Sequence, residues 1–287
     1  MARFRAKEAA QARKNLADCA GILMLKAAIH IHSTYSDGEL SLGQLREIFA
    51  LAGCSFVCTS DHAEAFDHKK LERYSAECEA LSDPGFRFIP GLEFECDQRM
   101  HILGYGLLAL LRTKSPEEVI RGIESRGGIS VIAHPKDTMF EWIERFNVLP
   151  TGIEIWNTKY DGQYAPRPRT FRLLARLQHR KPDLLAFYGQ DLHWERQSRK
   201  LFNWVSVKTF ERDAILEALR CGQYYAGEGE LELPSNGRLP EEVLVRFGSI
   251  QKRSARLRQW LKFAKQAADH VGITVPHSIK SNLRRIF

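Results

Sequence analysis

Residues 26–38 read KAAIHIHSTYSDG, and this stretch decides the fold. Its first seven residues form an apolar run of strand length, and the polar, turn-forming residues that follow end it. His30 and His32 stand at i and i+2, so on a strand both project from one face and can chelate a single ion. Asp37 lies in the loop just beyond them.

Working outward, six further strands are expected at 55–60 (SFVCTS), 87–95 (RFIPGLEFE), 101–106 (HILGYG), 129–134 (ISVIAH), 152–156 (GIEIW) and 184–190 (LLAFYGQ). Helical patterns alternate with them. Ser41 and Gln44 read as a capping box, and Ser115, Pro116 and Glu118 as an N-cap, a first-turn proline and an N3 acid. Such alternation predicts an α/β fold of βα units around a parallel sheet or barrel. After residue 207 the pattern changes to a helix at 211–221, a Gly-rich turn region through Gly237 and a basic helix at about 250–269. The expected organisation is a helical lead-in over 1–25, a catalytic barrel over 26–230 and a basic helical extension over 231–287.

The chain's 287 residues, 44% apolar, can bury a sizeable core. Its net charge of +7 is uneven: residues 251–287 hold nine Lys and Arg against Asp269, leaving about −1 for the rest. Such a tail suits a solvated helix face, with phosphate-rich partners such as nucleic acid or an anionic membrane surface as the alternatives. Cys19, Cys54, Cys58, Cys78, Cys96 and Cys221 form no C-x-x-C motif or regular framework, which predicts reduced thiols and a cytoplasmic protein. No signal peptide or membrane span is expected.

Six of the seven expected strands end in, or directly precede, a metal-binding residue type. His62 follows the second, Glu93 lies in the third, His101 opens the fourth, His134 closes the fifth, and Asp191 and His193 repeat the i, i+2 spacing after the seventh. Mixed imidazole and carboxylate groups without thiolate suit Mn, Fe or Zn. At the C-terminal mouth of a barrel, such residues converge on one active site.

The fragments HIHSTYSDG (30–38), TSDH (59–62), PGLEF (90–94), HILGY (101–105), AHP (133–135) and DLH (191–193), in this order over about residues 26–230, resemble the polymerase and histidinol phosphatase (PHP) domain family. The resemblance implies a distorted (β/α)7 TIM-like barrel and metal-dependent phosphoester hydrolysis with up to three divalent ions. It implies one metal held by His30, His32, Glu93 and Asp191, a second by Asp37, His62 and His193, and a third by Glu93, His101 and His134. The 32 residues between His101 and His134 leave no room for the helical insertion that caps some nucleotide-hydrolysing members.

The implied chemistry is in-line attack on phosphorus by a metal-activated hydroxide, without a covalent intermediate. Asp37, His62 and His193 are the candidates for proton handling. Asn157 ends the one strand without a ligand and is a candidate substrate contact. Lys136, Lys159, Arg167, Arg169 and Arg196 are candidates to grip phosphate from the loops. The expected substrate is a small phosphomonoester such as a nucleotide or nucleoside bisphosphate. Histidinol phosphate, an exonuclease acting on nucleic acid and a non-catalytic metal-binding module are the competing expectations.

Overall fold

The computed structural model describes residues 21–198, 201–228 and 231–270. Most of the expected helical lead-in, Cys19, His277 and the tail beyond residue 270 lie outside them. Residues 23–25 are already strand, the start of β1 (Leu23–Ile31).

All seven expected strands are present, two of them broken. Residues 55–60 give β2 (Phe56–Thr59) and pass at Ser60 into β3 (Asp61–His62). Residues 87–95 give β4 (Arg87–Ile89) and β5 (Gly91–Glu95), interrupted at Pro90, which has no N–H for a ladder. Then follow β6 (His101–Tyr105), β7 (Ile129–Ala133), β8 (Gly152–Asn157) and β9 (Leu185–Gly189). Three more strands, β10 (Phe202–Val207), β11 (Tyr224–Glu228) and β12 (Leu231–Pro234), complete the set. Hydrogen bonds join them into two six-stranded sheets, β12-β11-β10-β1-β2-β4 and β3-β5-β6-β7-β8-β9. The breaks at Ser60 and Pro90 carry those two strands from one sheet to the other.

Two expectations are corrected. The all-parallel βα pattern fails at β6, which runs antiparallel to both β5 and β7. Only residues 96–100 separate β5 from β6, whereas a parallel crossover needs about a dozen residues. The region after 202 supplies antiparallel strands, β10 pairing with β1 and β11 with both β10 and β12. β10 (FNWVSV) alternates in burial residue by residue, with Asn203, Val205 and Val207 on the buried face, a pattern its residue types do not show in sequence.

Helices α1 (Leu42–Leu51), α2 (His68–Ala80), α3 (Pro116–Glu124), α4 (Phe140–Glu144), α5 (Pro168–Gln178) and α6 (Arg212–Arg220) pack around the sheets. The Ser41–Gln44 capping box starts α1 as expected, and Ser115 caps α3. Val119, Ile120 and Ile123 of α3 are fully buried, each worth roughly 1.5–3 kcal/mol of apolar transfer. Buried free thiols at Cys54, Cys58, Cys78 and Cys96 belong to this core, and burial pushes those of Cys54 and Cys96 up to about 12.

The last described element is α7 (Glu241–His270). It docks through Leu244 and Phe247, whose ring stacks on Phe171 of α5 at 6.3 Å. Farther along the helix Leu257, Trp260 and Phe263 are 45%, 63% and 70% exposed. Phe247 and Trp260 lie a little over three and a half turns apart at about 3.6 residues per turn, so the helix carries them to opposite sides. Among the described residues no helix is long and apolar enough to cross a membrane.

Candidate metal centre

The structure brings all nine expected ligand residues together at one end of the strands. Their donor atoms fall into four overlapping groups, each within 4.8 Å: His32, Asp37, His62 and His193; His30, His32 and Asp191; His30, Glu93 and His134; His62, Glu93 and His101. Glu93 is the hub. Its carboxylate oxygens lie 2.8 Å from His101 Nδ1, 3.2 Å from His32 Nε2, 3.3 Å from His134 Nε2, 3.5 Å from His62 Nδ1 and 3.6 Å from His30 Nε2. His101 reaches this end from the start of its strand because β6 runs backwards relative to its neighbours.

The backbone is bent to make this meeting possible. His30, His134 and Asp191 adopt left-handed φ angles of 62°, 27° and 52°, sparsely populated for residues with a Cβ. At His30 the β1–β2 register shifts, yet the His30 and His32 rings stay 5.4 Å apart and face the same cluster. Backbone bonds His32 N to Leu192 O (2.9 Å) and Leu192 N to His30 O (3.2 Å) lash β1 to the chain following β9. That pairing sets Asp191 and His193 beside the first two histidines.

Glu154, a residue the sequence reading passed over, supports the cluster from β8. It is buried, accepts from His30 Nδ1 at 2.8 Å, from His134 N at 2.9 Å and from the Asn157 amide at 2.9 Å. A carboxylate can only accept, so His30 carries its proton on Nδ1 and turns Nε2 to the cluster. The signal was present: an acid inside the apolar run GIEIW must find buried partners. Gly189 makes room for this pair, because a Cβ there would stand 2.0 Å from Glu154 Oε1. Asp61 acts similarly behind the 33–37 loop, accepting from Ser33 N, Ser33 Oγ and Ser36 Oγ at 2.7–2.9 Å.

Burial opposes charge on Glu93 and Asp191, but the surrounding imidazoles outweigh it and hold both carboxyls well below the usual range. His193 is partly desolvated, which lowers its pKa, yet its bonds to Asp191 and Asp37 push it up to about 9.

The donors fit a metal cluster on one observation. His30 Nε2 and both ring nitrogens of His32 are buried and lack any hydrogen-bond partner. Their nearest carboxylate oxygens stand at 3.2–3.6 Å. Two donors sharing one ion at about 2.0–2.3 Å each are separated by roughly 3–4 Å, so these spacings suit co-ligands better than hydrogen bonds. Buried unpaired nitrogens are costly unless an ion satisfies them.

The expected substrate contacts divide. Lys159 Nζ reaches the centre, 3.3 Å from Asp191 Oδ1 and 3.2 Å from His193. Lys136 and Arg167 line a cavity beside it. Asn157 is buried beside the centre: its amide donates to Glu154 and Asp191, and its carbonyl accepts from the Lys159 and Tyr160 N–H groups. Arg169 is exposed, bound to Asp137, and absent from the cavity lining. Arg196 stacks over Trp194 at 5.1 Å on a short turn after His193.

No family model and no curated protein matches this sequence. Among solved structures, a two-domain protein from Bacteroides vulgatus containing a predicted PHP-like metal-dependent phosphoesterase is similar, with a TM-score of 0.54 and 20% identity, covering 79% of this chain and 69% of that one. The chain therefore has the fold of a PHP-like metal-dependent phosphoesterase. PsfC from Pseudomonas syringae (TM-score 0.49, 18% identity, 81% of this chain and 99% of that one) and the lesion-specific endonuclease PfuEndoQ from Pyrococcus furiosus (0.46, 16%, 70% and 56%) are more distant likenesses.

Proposed function

We propose that the chain is a metal-dependent phosphoester hydrolase acting on a phosphomonoester of a small metabolite, such as a nucleotide or nucleoside bisphosphate. The observation that carries this reading is the set of buried, unpartnered imidazole nitrogens facing Glu93, Asp37 and Asp191. We assign one ion to His30, His32, Glu93 and Asp191, a second to Asp37, His62 and His193, and a third to Glu93, His101 and His134, with Mn, Fe or Zn suited to these donors. Divalent ions held there supply Lewis acidity toward phosphoryl oxygens and lower the pKa of water.

The chain's own groups do the rest. Glu154 and Asn157 orient His30 and Asp191. Lys159 stands over Asp191 and His193, where its ammonium can neutralise a phosphoryl oxygen. His193, bonded to the half-exposed Asp37, is placed to hold or pass a proton at the solvent edge of the site. We read the two sheets as halves of one distorted (β/α)7 barrel, to which β12 still belongs, with the basic α7 as an extension.

The test is phosphate release from a panel of phosphomonoesters, histidinol phosphate included, with added Mn and with a chelator. Mn-dependent release that Glu93→Gln abolishes is expected. A folded chain that binds no divalent ion and releases no phosphate from any ester overturns the reading. A second reading, the exonuclease, draws on α7, which carries no acid from Val243 to Ala268 and exposes Lys252, Arg253, Arg256 and Lys262. Nucleotide release from a labelled oligonucleotide would favour it.

A further inference from the structure

A cavity of about 410 Å³ opens beside the histidine cluster, with His101 and His134 in its lining. Three cations from separate segments also line it: Arg99 at the tip of the β5–β6 hairpin, Lys136 after β7 and Arg167 after β8. They are not equivalent. Arg167 is fully engaged, its Nε on Asp161 at 2.5 Å, Nη1 on Asp137 at 2.8 Å and Nη2 on the Pro135 carbonyl at 2.9 Å. Arg99 and Lys136 make no side-chain ion pair or hydrogen bond among the described residues. Of the carboxylates in the lining, Asp161 is tied to Arg167, and Glu95 pairs with neither free cation.

Arg99 is also held in an unfavourable backbone state. Gln98 and Arg99 have φ of 56° and 57°, two successive left-handed residues with side chains. Such positions ordinarily go to glycine, and they persist where the surroundings impose them, often at functional sites. Here the hairpin tip is closed by Cys96 N to Met100 O at 2.7 Å and Arg99 N to Cys96 O at 3.1 Å. A guanidinium is thereby set on the cavity wall two residues before His101.

We propose that Arg99 and Lys136 form a subsite for a second anionic group on the substrate, a phosphate or carboxylate carried by the leaving alcohol. The inference rests on the phosphoester-hydrolase reading above. With the scissile phosphoryl group at the nine-residue centre, where Lys159 already stands, the remainder of the molecule occupies the adjoining cavity. Its volume falls in the range of about 300–1,000 Å³ typical of small-molecule sites. An uncharged alcohol would fill it without meeting either cation, whereas a second anion gains charge-assisted bonds to both.

The Mn-loaded protein is assayed for phosphate release on two matched pairs: a nucleoside 5′-monophosphate against the 3′,5′-bisphosphate, and glycerol 3-phosphate against 3-phosphoglycerate. At least one doubly anionic member should exceed its partner in kcat/KM by about tenfold or more. Preference in the first pair identifies a second phosphate, and preference in the second a carboxylate. Arg99→Gly removes the guanidinium while suiting the left-handed backbone, so the fold is retained. It should raise KM about tenfold for the preferred substrate, with kcat and the singly anionic esters changed less than about threefold. Arg99→Lys should recover part of the loss. Equal kcat/KM within each pair, or an Arg99→Gly loss in kcat shared by all four esters, overturns the subsite while leaving hydrolysis intact. Absence of Mn-dependent release from every ester overturns the hydrolase reading and the subsite with it.

Discussion

The floor of the site and its rim use the same residue types under opposite constraints. On the floor, His30, His32, Glu93 and Asp191 are buried, and each polar atom has a narrow choice of partners. On the rim, cations sit in partial solvent and choose between an internal carboxylate and a ligand. Arg167 and Arg99 line one cavity, yet Asp161 and Asp137 engage the first while nothing among the described residues engages the second. Burial therefore makes the floor a fixed array, and local ion pairing decides which rim cations are available.

The sharpest test of the floor as an array is Glu93→Gln, expected to cost about a thousandfold in kcat, roughly 4 kcal/mol. His101→Ala, at its edge, should cost much less. Phosphate-release assays showing the reverse order would break the view of Glu93 as hub.

A rim carboxylate buried like a floor residue should reveal its cost in pH. Burial raises Asp161 from 3.8 to about 6 despite the Arg167 pair. Because this folded value lies above the unfolded one, the stability the group contributes is present below about pH 4 and lost as pH rises through about 6. The difference is roughly 3 kcal/mol. Denaturant unfolding from pH 4 to 7 should show this fall in the wild type and not in Asp161→Asn. Parallel curves would refute the assignment.

Divalent ions should stabilise the floor specifically. Mn at a hundred times its Kd should add about 2.7 kcal/mol to unfolding, read as a rise in Tm. Glu93→Gln should lose that rise and Arg99→Gly keep it. Glu154→Gln, acting through His30, should weaken metal affinity by about 10–100-fold, measurable by calorimetry.

The smallest effect is expected farthest from the floor. Gln251 Nε2 donates to the carbonyl of Asp161 on the loop that follows β8, at 2.8 Å, whereas Leu257, Trp260 and Phe263 face solvent. Removing residues 256–287 should leave turnover of a small phosphoester within about twofold. A large loss in a folded protein would show that the distal helix reaches the site.

Legibility followed the same division. The floor could be read because metal-binding residues at successive strand ends are a local pattern, repeated from His30 to His193. Glu154 escaped because one acid within a strand has no spacing partner in sequence; only its bonds to His30 and His134 in the folded chain show its purpose. The rim cations could be named but not ranked, since Asp137 meets Arg167 and Arg169 across 30 and 32 residues.

What the sequence alone determined was the order of strands up to β9, their turn and cap chemistry, and the types of side chain brought to their ends, all consequences of interactions within a few residues. Tertiary structure decided the reversal of β6, the recruitment of β10, β11 and β12 beside β1, the face on which α7 docks and the commitment of each rim cation. These depend on which distant backbone and charged groups meet once the chain is compact, because long-range pairing satisfies buried hydrogen bonds and charges that no local window contains.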